Sequence, residues 1–140
     1  MINDNLKLTG ALTIAINDTI VQKTENLVVT AGKEWVADRM NNANTVMTYM
    51  SIGTGTTAAA AGNTTLVTEL DRNALSSTTV TGADVAYVAT WAAGDGTGAI
   101  TEAGIFNAAS AGDMLARTVF SVVNKGADDS MTITWTVTVS

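Results

Sequence analysis

The side chains of this chain that can do chemistry are carboxylates, few in number and scattered. Histidine and cysteine are both missing. That removes the one side chain that titrates near neutrality unperturbed. It also removes any thiolate nucleophile, thiolate metal site or disulfide. Glu25, Glu34, Glu69, Asp71 and Glu102 are among the 13 acids that could serve in proton transfer. Two of them meeting across a cleft would suit glycoside hydrolysis, but no spacing singles out such a pair. The composition predicts a protein that builds or binds, with no catalytic residue, no metal and no cofactor.

Other motifs have a structural reading beside the chemical one. Gly53-Thr54-Gly55-Thr56-Thr57 has the glycine content of a phosphate loop but lacks the Gly-Lys-Ser/Thr ending. A loop that needs small residues for close packing explains it better. Asp95, within Gly94-Asp95-Gly96-Thr97-Gly98, and the pair Asp128-Asp129 offer oxygens to Ca²⁺. Neither segment has EF-hand spacing, and aspartates in turns bond to nearby backbone. Asn17-Asp18-Thr19 and Asn63-Thr64-Thr65 match the glycosylation sequon by chance. Glu69 and Arg72 are spaced for a local ion pair. Glu102 sits in an otherwise apolar stretch, so it either faces solvent or has a partner. Arg117 is that partner if 101–107 and 114–120 form a hairpin. Trp35 and Trp135 fall on apolar faces. Trp91, beside a glycine-rich loop, is the tryptophan best placed as a surface aromatic for sugar stacking, although core burial is favoured for it as well.

The charge balance limits the partners. Seven Lys and Arg stand against 13 Asp and Glu, a formal net charge of −6. The cations are dispersed and form no basic stripe, which argues against direct nucleic-acid binding. Residues 1–5 lack the basic and apolar regions of a signal peptide. No apolar run approaches the ~20 residues of a membrane span. The expectation is cytoplasmic synthesis, with no membrane partner.

About one residue in six is threonine, and proline is missing. Thr, Val and Ile are β-branched and suit a pleated, half-buried surface. Leu6, Leu8, Leu12, Ile14 and Ile16 share one face of an extended strand, with Gly10 as a bulge or bend. Asn17-Asp18 turns the chain into a second strand, residues 19–23. A short strand at 27–29 precedes a helix capped by Thr30, with Trp35, Val36 and Met40 on one face and Asn41, Asn42 and Asn44 ending it. Residues 47–52 read as a strand and 66–70 as one helical turn. Strands are expected at 74–80 and 85–91 around a Thr81–Asp84 turn, then at 100–107 and 114–123, with a polar turn at 124–129. Met131, Ile133, Trp135, Val137 and Val139 alternate with Thr132, Thr134, Thr136 and Thr138, the clearest strand of all. About eight strands and one short helix in a single 140-residue domain predict an all-β antiparallel sandwich of jelly-roll or immunoglobulin-like type. Residues 1–24 form an extended strand or hairpin, read as an arm that can add to a neighbour's sheet.

From residue 27 to the end, the sequence resembles a known group. The resemblance runs through Met50-Ser51-Ile52-Gly53-Thr54-Gly55-Thr56-Thr57-Ala58, Thr68-Glu69-Leu70 and Arg72-Asn73-Ala74. It continues through Gly98-Ala99-Ile100-Thr101-Glu102-Ala103-Gly104-Ile105-Phe106-Asn107 and Met114-Leu115-Ala116-Arg117-Thr118-Val119-Phe120. It closes on Lys125 and Thr132-Ile133-Thr134-Trp135-Thr136-Val137. These strings are similar to small virion structural proteins of tailed bacteriophages, labelled tail-fibre-like or capsid decoration (cement) proteins. The resemblance implies a non-enzymatic virion component assembled in the host cytoplasm. It implies a homotrimer whose partner is the major capsid protein, or tail proteins if the chain is a tail or fibre module. A third class, a lectin or glycan-active enzyme, rests on Trp91 and the loop carboxylates. The residues expected to touch a partner are Ile2, Leu6, Leu8, Trp91 and Asp95.

Overall fold

The structure, a computed structural model, describes residues 6–42 and 45–140. Ile2 and Asn44 lie outside the described residues. Ten strands and one helix follow in order: β1 (Leu8–Ile16), β2 (Thr19–Glu25), β3 (Leu27–Val28), α1 (Thr30–Arg39), β4 (Tyr49–Gly53), β5 (Glu69–Ala74), β6 (Ser77–Thr81), β7 (Asp84–Trp91), β8 (Gly98–Phe106), β9 (Met114–Lys125) and β10 (Met131–Val139). They form two antiparallel five-stranded sheets, ordered β2-β1-β10-β7-β6 and β3-β9-β8-β4-β5. The all-β sandwich with a short helix is the architecture the strand patterning predicts.

The core is the set of inward positions that period-two alternation dictates. Leu12 and Ile14 of β1, Ile133, Trp135 and Val137 of β10, and Tyr87, Ala89 and Trp91 of β7 are buried on the first sheet. Met50 and Ile52 of β4 and Ile100, Ala103 and Ile105 of β8 meet them from the second. A smaller cluster of Val29, Leu66, Phe106 and Met114 forms separately. Strand β10 lies in the middle of its sheet, between β1 and β7. Its threonines form the outer rows, and the hydroxyls of Thr132 and Thr90 bond at 3.2 Å.

The N-terminal hairpin completes the chain's own sheet: β1 pairs with β10 from Leu8↔Val139 to Ile16↔Met131. Residues 8–25 are therefore part of this subunit's sandwich. Asn17 and Asp18 adopt φ of 48° and 69°, the left-handed pair of a type I′ turn, which matches the twist of a hairpin. Asn17 also ties this turn to the one before β10, donating to Asp129 Oδ1 at 2.9 Å and accepting from Ser130 N at 2.9 Å. Gly10 marks no bulge; the register shift on β1 falls between Ile14 and Ala15. A Cβ on Gly10 would overlap the Asn26 side chain, whose Oδ1 accepts the Trp135 indole N–H at 3.0 Å.

Three local expectations are corrected. Residues 66–70 are not helical: Glu69 opens β5, an edge strand whose ladder to β4 overrides the local pattern. Thr30 is the first helical residue rather than the cap; Val29 holds the cap position with extended backbone and no side-chain bond. Met40 does not share the buried helix face. It is 86% exposed, while Trp35 and Val36 pack partly against the core. None of the described helices is long and apolar enough to cross a membrane.

Helix α1 seats on β9 through Gly32, where an added Cβ would overlap the Leu115 carbonyl. Backbone cannot yield there as a flexible side chain can, so overpacking at this point costs about 1–3 kcal/mol. Gly62 has nothing within 4 Å of an added Cβ. Chemical denaturation should therefore show Gly32→Ala destabilised by at least about 2 kcal/mol, and Gly62→Ala neutral to within about 0.5 kcal/mol or slightly stabilised.

Candidate functional site: a loop held by a buried ion pair

Strands β8 and β9 form the hairpin that brings Glu102 and Arg117 together. Ile100 faces the core, so unbroken alternation would send Glu102 inward as well. The register shifts between Ile100 and Glu102. The resulting bulge inverts the phase of the strand: Ala103 and Ile105 become the core residues, and Glu102 turns to the outer face. Arg117 is directly opposite Gly104 and therefore diagonal to Glu102, within reach of its long side chain.

Both side chains are fully buried, with Arg117 Nη2 3.0 Å and Nε 3.2 Å from Glu102 Oε1. A buried ion pair persists when further hydrogen bonds satisfy its remaining lone pairs and protons. Here the long loop at 54–68 supplies them. Gly55 N–H donates to Glu102 Oε2 at 2.7 Å and Thr68 N–H to the same atom at 2.8 Å. Val67 N–H donates to Oε1 at 2.9 Å. Arg117 returns the connection, donating to Thr57 O at 2.9 Å and Asn63 Oδ1 at 3.0 Å. Both ends and the middle of the loop thus close on one pair of charges.

The glycines of this loop now have a defined role. A Cβ on Gly53 or Gly55 would press into the Glu102 carboxylate. The anion cradled by Gly55 N–H belongs to the chain's own Glu102, as the small-residue reading requires. Thr101 Oγ1 adds a bond to Gly55 O at 2.8 Å, and Thr30 N at the start of α1 donates to Ala61 O at 2.8 Å. Leu66 plugs the loop into the smaller apolar cluster. Residues 54–68 contain no charged side chain. Thr56, Thr57, Ala58, Ala60, Thr64 and Val67 are exposed on it. The outcome is a fixed, uncharged surface of small residues.

Burial pushes the Glu102 carboxyl up. The bonds from Thr68 N, Val67 N, the Arg117 guanidinium and Gly55 N together outweigh that and hold it below the ordinary glutamate range.

The remaining acids sit elsewhere. Arg72 bonds Glu69 at 2.7 Å, as the spacing predicts. Its guanidinium also lies 3.7 Å from the Phe106 ring centroid and donates to Ala108 O and Ala111 O. Asp71 and Asp95 come within hydrogen-bonding reach of each other. Burial and the neighbouring Asp95 raise the Asp71 carboxyl, whereas Asn73, donating at 2.7 Å, and Asp71 lower Asp95. Asp129 accepts from Gly126 N at 2.8 Å, a turn role. Among the described residues, no three acidic side chains gather as a metal site would need.

The expected partner contacts separate. Leu6 is 75% exposed and available. Leu8 is half-buried and packs against the core. Trp91 is fully buried, so it cannot serve as a surface aromatic: Ile52 and the loop at Gly96 close over it. Its indole N–H lies near the Asp71 carboxyl without the geometry of a full hydrogen bond. Asp95 is partly buried and engaged by Asn73. Ile2 lies outside the described residues. Sequence reading missed the loop anchorage, whose signal was the Gly-x-Gly segment combined with an acid inside an apolar strand. It also placed Lys125 in a polar turn. Lys125 is buried, donating from Nζ to Ala92 O at 3.0 Å.

Comparison with family models, with curated proteins and with solved structures found no match to this chain.

Removing one partner of a buried ion pair leaves an uncompensated charge and costs about 3–5 kcal/mol. Arg117→Met should lose stability in that range on denaturant titration. The lowered Glu102 carboxyl adds a pH dependence. Its stabilisation is complete above the unfolded-state value of about 4.3 and is lost as pH falls through the lower folded-state value. Glu102→Gln should lessen the acid-side decline in a pH–stability profile, leaving the part due to Asp95 and Asp129, while lowering stability at pH 7.

Proposed function

We propose that this protein is a non-enzymatic structural component of a tailed-phage virion, a decoration protein that binds and stabilises the capsid shell. The observation carrying this reading is the anchored loop: a rare buried ion pair is spent on fixing a long, charge-free surface. A contact surface that is already ordered loses little entropy on docking. The centres of protein interfaces are depleted in charge, which suits residues 54–68. The resemblance of residues 27–140 to virion structural proteins supports the same reading. So does the use of Glu102, Arg117, Glu69 and Arg72 as internal fastenings.

The mechanism is area burial repeated by lattice symmetry. Each copy makes a weak, specific contact, and linked copies gain avidity over the shell. The major capsid protein is the partner.

The test uses purified protein and shells lacking it. Bound copies should number in the hundreds per particle and raise the temperature at which the shell breaks. Ala60→Glu, which puts an unpaired carboxylate into the contact, should weaken shell binding at least about tenfold, or ~1.4 kcal/mol, with unchanged thermal stability of the free protein. About a dozen copies at the tail, or particles equally heat-resistant without the protein, would overturn the capsid reading.

A further inference from the structure

The edges of the two sheets are guarded unequally. Strand β2 carries Lys23 and Glu25 and lies beside a bulge. Strand β5 carries Glu69, Asp71 and Arg72, and β3 is two residues long. Charges, bulges and shortness are the usual protections of a sheet edge. Strand β6, Ser77–Thr81, has the sequence STTVT, with no charge and no shift in its register with β7.

The hairpin geometry shows which groups this edge presents. Gly82, at φ 59°, and Ala83 close a two-residue turn between Thr81 and Asp84. Such a turn makes the flanking pair hydrogen-bonded, and bonded and non-bonded pairs alternate from there. Val80↔Val85 and Thr78↔Tyr87 are then the non-bonded pairs. The N–H and C=O of Thr78 and Val80 consequently point away from the sheet, and no backbone bond outside the strands engages them.

Beside this edge the sandwich is open. The side chains of Thr78 and Val80 share the inward face with Tyr87 and Val85, yet Val80 is 69% exposed. A cleft of about 680 Å³ lies there, with Trp35, Tyr49, Leu75, Val80 and Tyr87 among its walls. Exposed Val46 extends the apolar area. Only a further strand beside β6 both fills the outward backbone groups and covers the cleft.

We propose that β6 and this cleft form a two-fold interface with a second copy of the chain, made by antiparallel pairing of β6 with itself. With Thr79 on the axis, Thr78 of one copy faces Val80 of the other, and the outward N–H and C=O groups are exchanged. The patch is self-complementary, as a two-fold contact requires. The chain carries a net −6, yet among the described residues no carboxylate lines this cleft, whose one charged wall residue is Arg39, so two acidic copies can meet here without bringing carboxylates together. Pairing joins the two clefts into one shared apolar layer. The contact is independent of the virion reading and differs in symmetry from the trimer that the resemblance implies.

Sedimentation equilibrium over micromolar concentrations tests this. Wild-type protein should reach twice the 14.4 kDa chain mass. Val80→Lys should weaken association at least about tenfold, and Ile20→Lys, on the opposite edge, should leave it unchanged. Amide exchange at Thr78 and Val80 should slow as concentration rises, a readout that needs no variant. A wild-type monomer or trimer at every concentration, equal behaviour of the two lysine variants, or concentration-independent exchange at those amides would overturn the proposal.

Discussion

The buried pair of Glu102 and Arg117 is the constraint on which this structure turns. Two charges removed from water are tolerated only when nearly every lone pair and proton finds a partner. Strands β8 and β9 supply the charges, and the loop at 54–68 supplies most of the partners. The dependence is mutual. Without the loop the pair would be an unsatisfied buried network, and without the pair the loop would have little to hold it. Long loops with no secondary structure of their own are uncommon in compact domains, and this one persists because it closes on a charge at both ends. The same fastening reaches α1, whose first residue bonds the loop at Ala61 O.

The bulge at Ile100–Glu102 makes the arrangement compatible with a sandwich. Regular alternation would place the acid in the apolar core between the sheets, on the side of Ile100. One register shift moves it to the outer face of the second sheet, which the loop and Arg72 then cover. The two sheets therefore differ. The first presents rows of threonine on its outer face, and the second hides its outer face beneath polar fastenings and a small apolar cluster. The loop is consequently the part of the molecule best prepared to meet a partner without reorganising.

Much of this was legible in the sequence because it is local or periodic. The alternation of Met131 to Val139, the Asn17-Asp18 turn and the Thr81–Asp84 hairpin each depend on neighbouring residues alone. The Glu102–Arg117 pairing was legible because a single acid in an apolar strand demands a partner, and a hairpin offered one. What escaped the sequence is long-range. Strand β5 reads as Glu-Leu-Asp-Arg-Asn-Ala, with no alternation, because its place is set by the ladder to β4. Lys125 looks like turn polarity until the Ala92 carbonyl is brought to its ammonium. Trp91 is buried, as the favoured core reading of its strand has it, and the glycine loop that made it a candidate surface aromatic folds back over the indole. The small-residue pattern marks Gly53 and Gly55 as packing glycines, but only the fold shows that they pack against a carboxylate.

Held by this one ion pair, residues 54–68 should be as firmly fixed as the strands beneath them. Residue-resolved hydrogen exchange of the native protein measures this at the amides of Gly55, Val67 and Thr68. If the pair holds the loop, these protons exchange only through global unfolding, with the same protection as the β8–β9 ladder. Exchange at the rate of a free loop, while β8 and β9 stay protected, would contradict it.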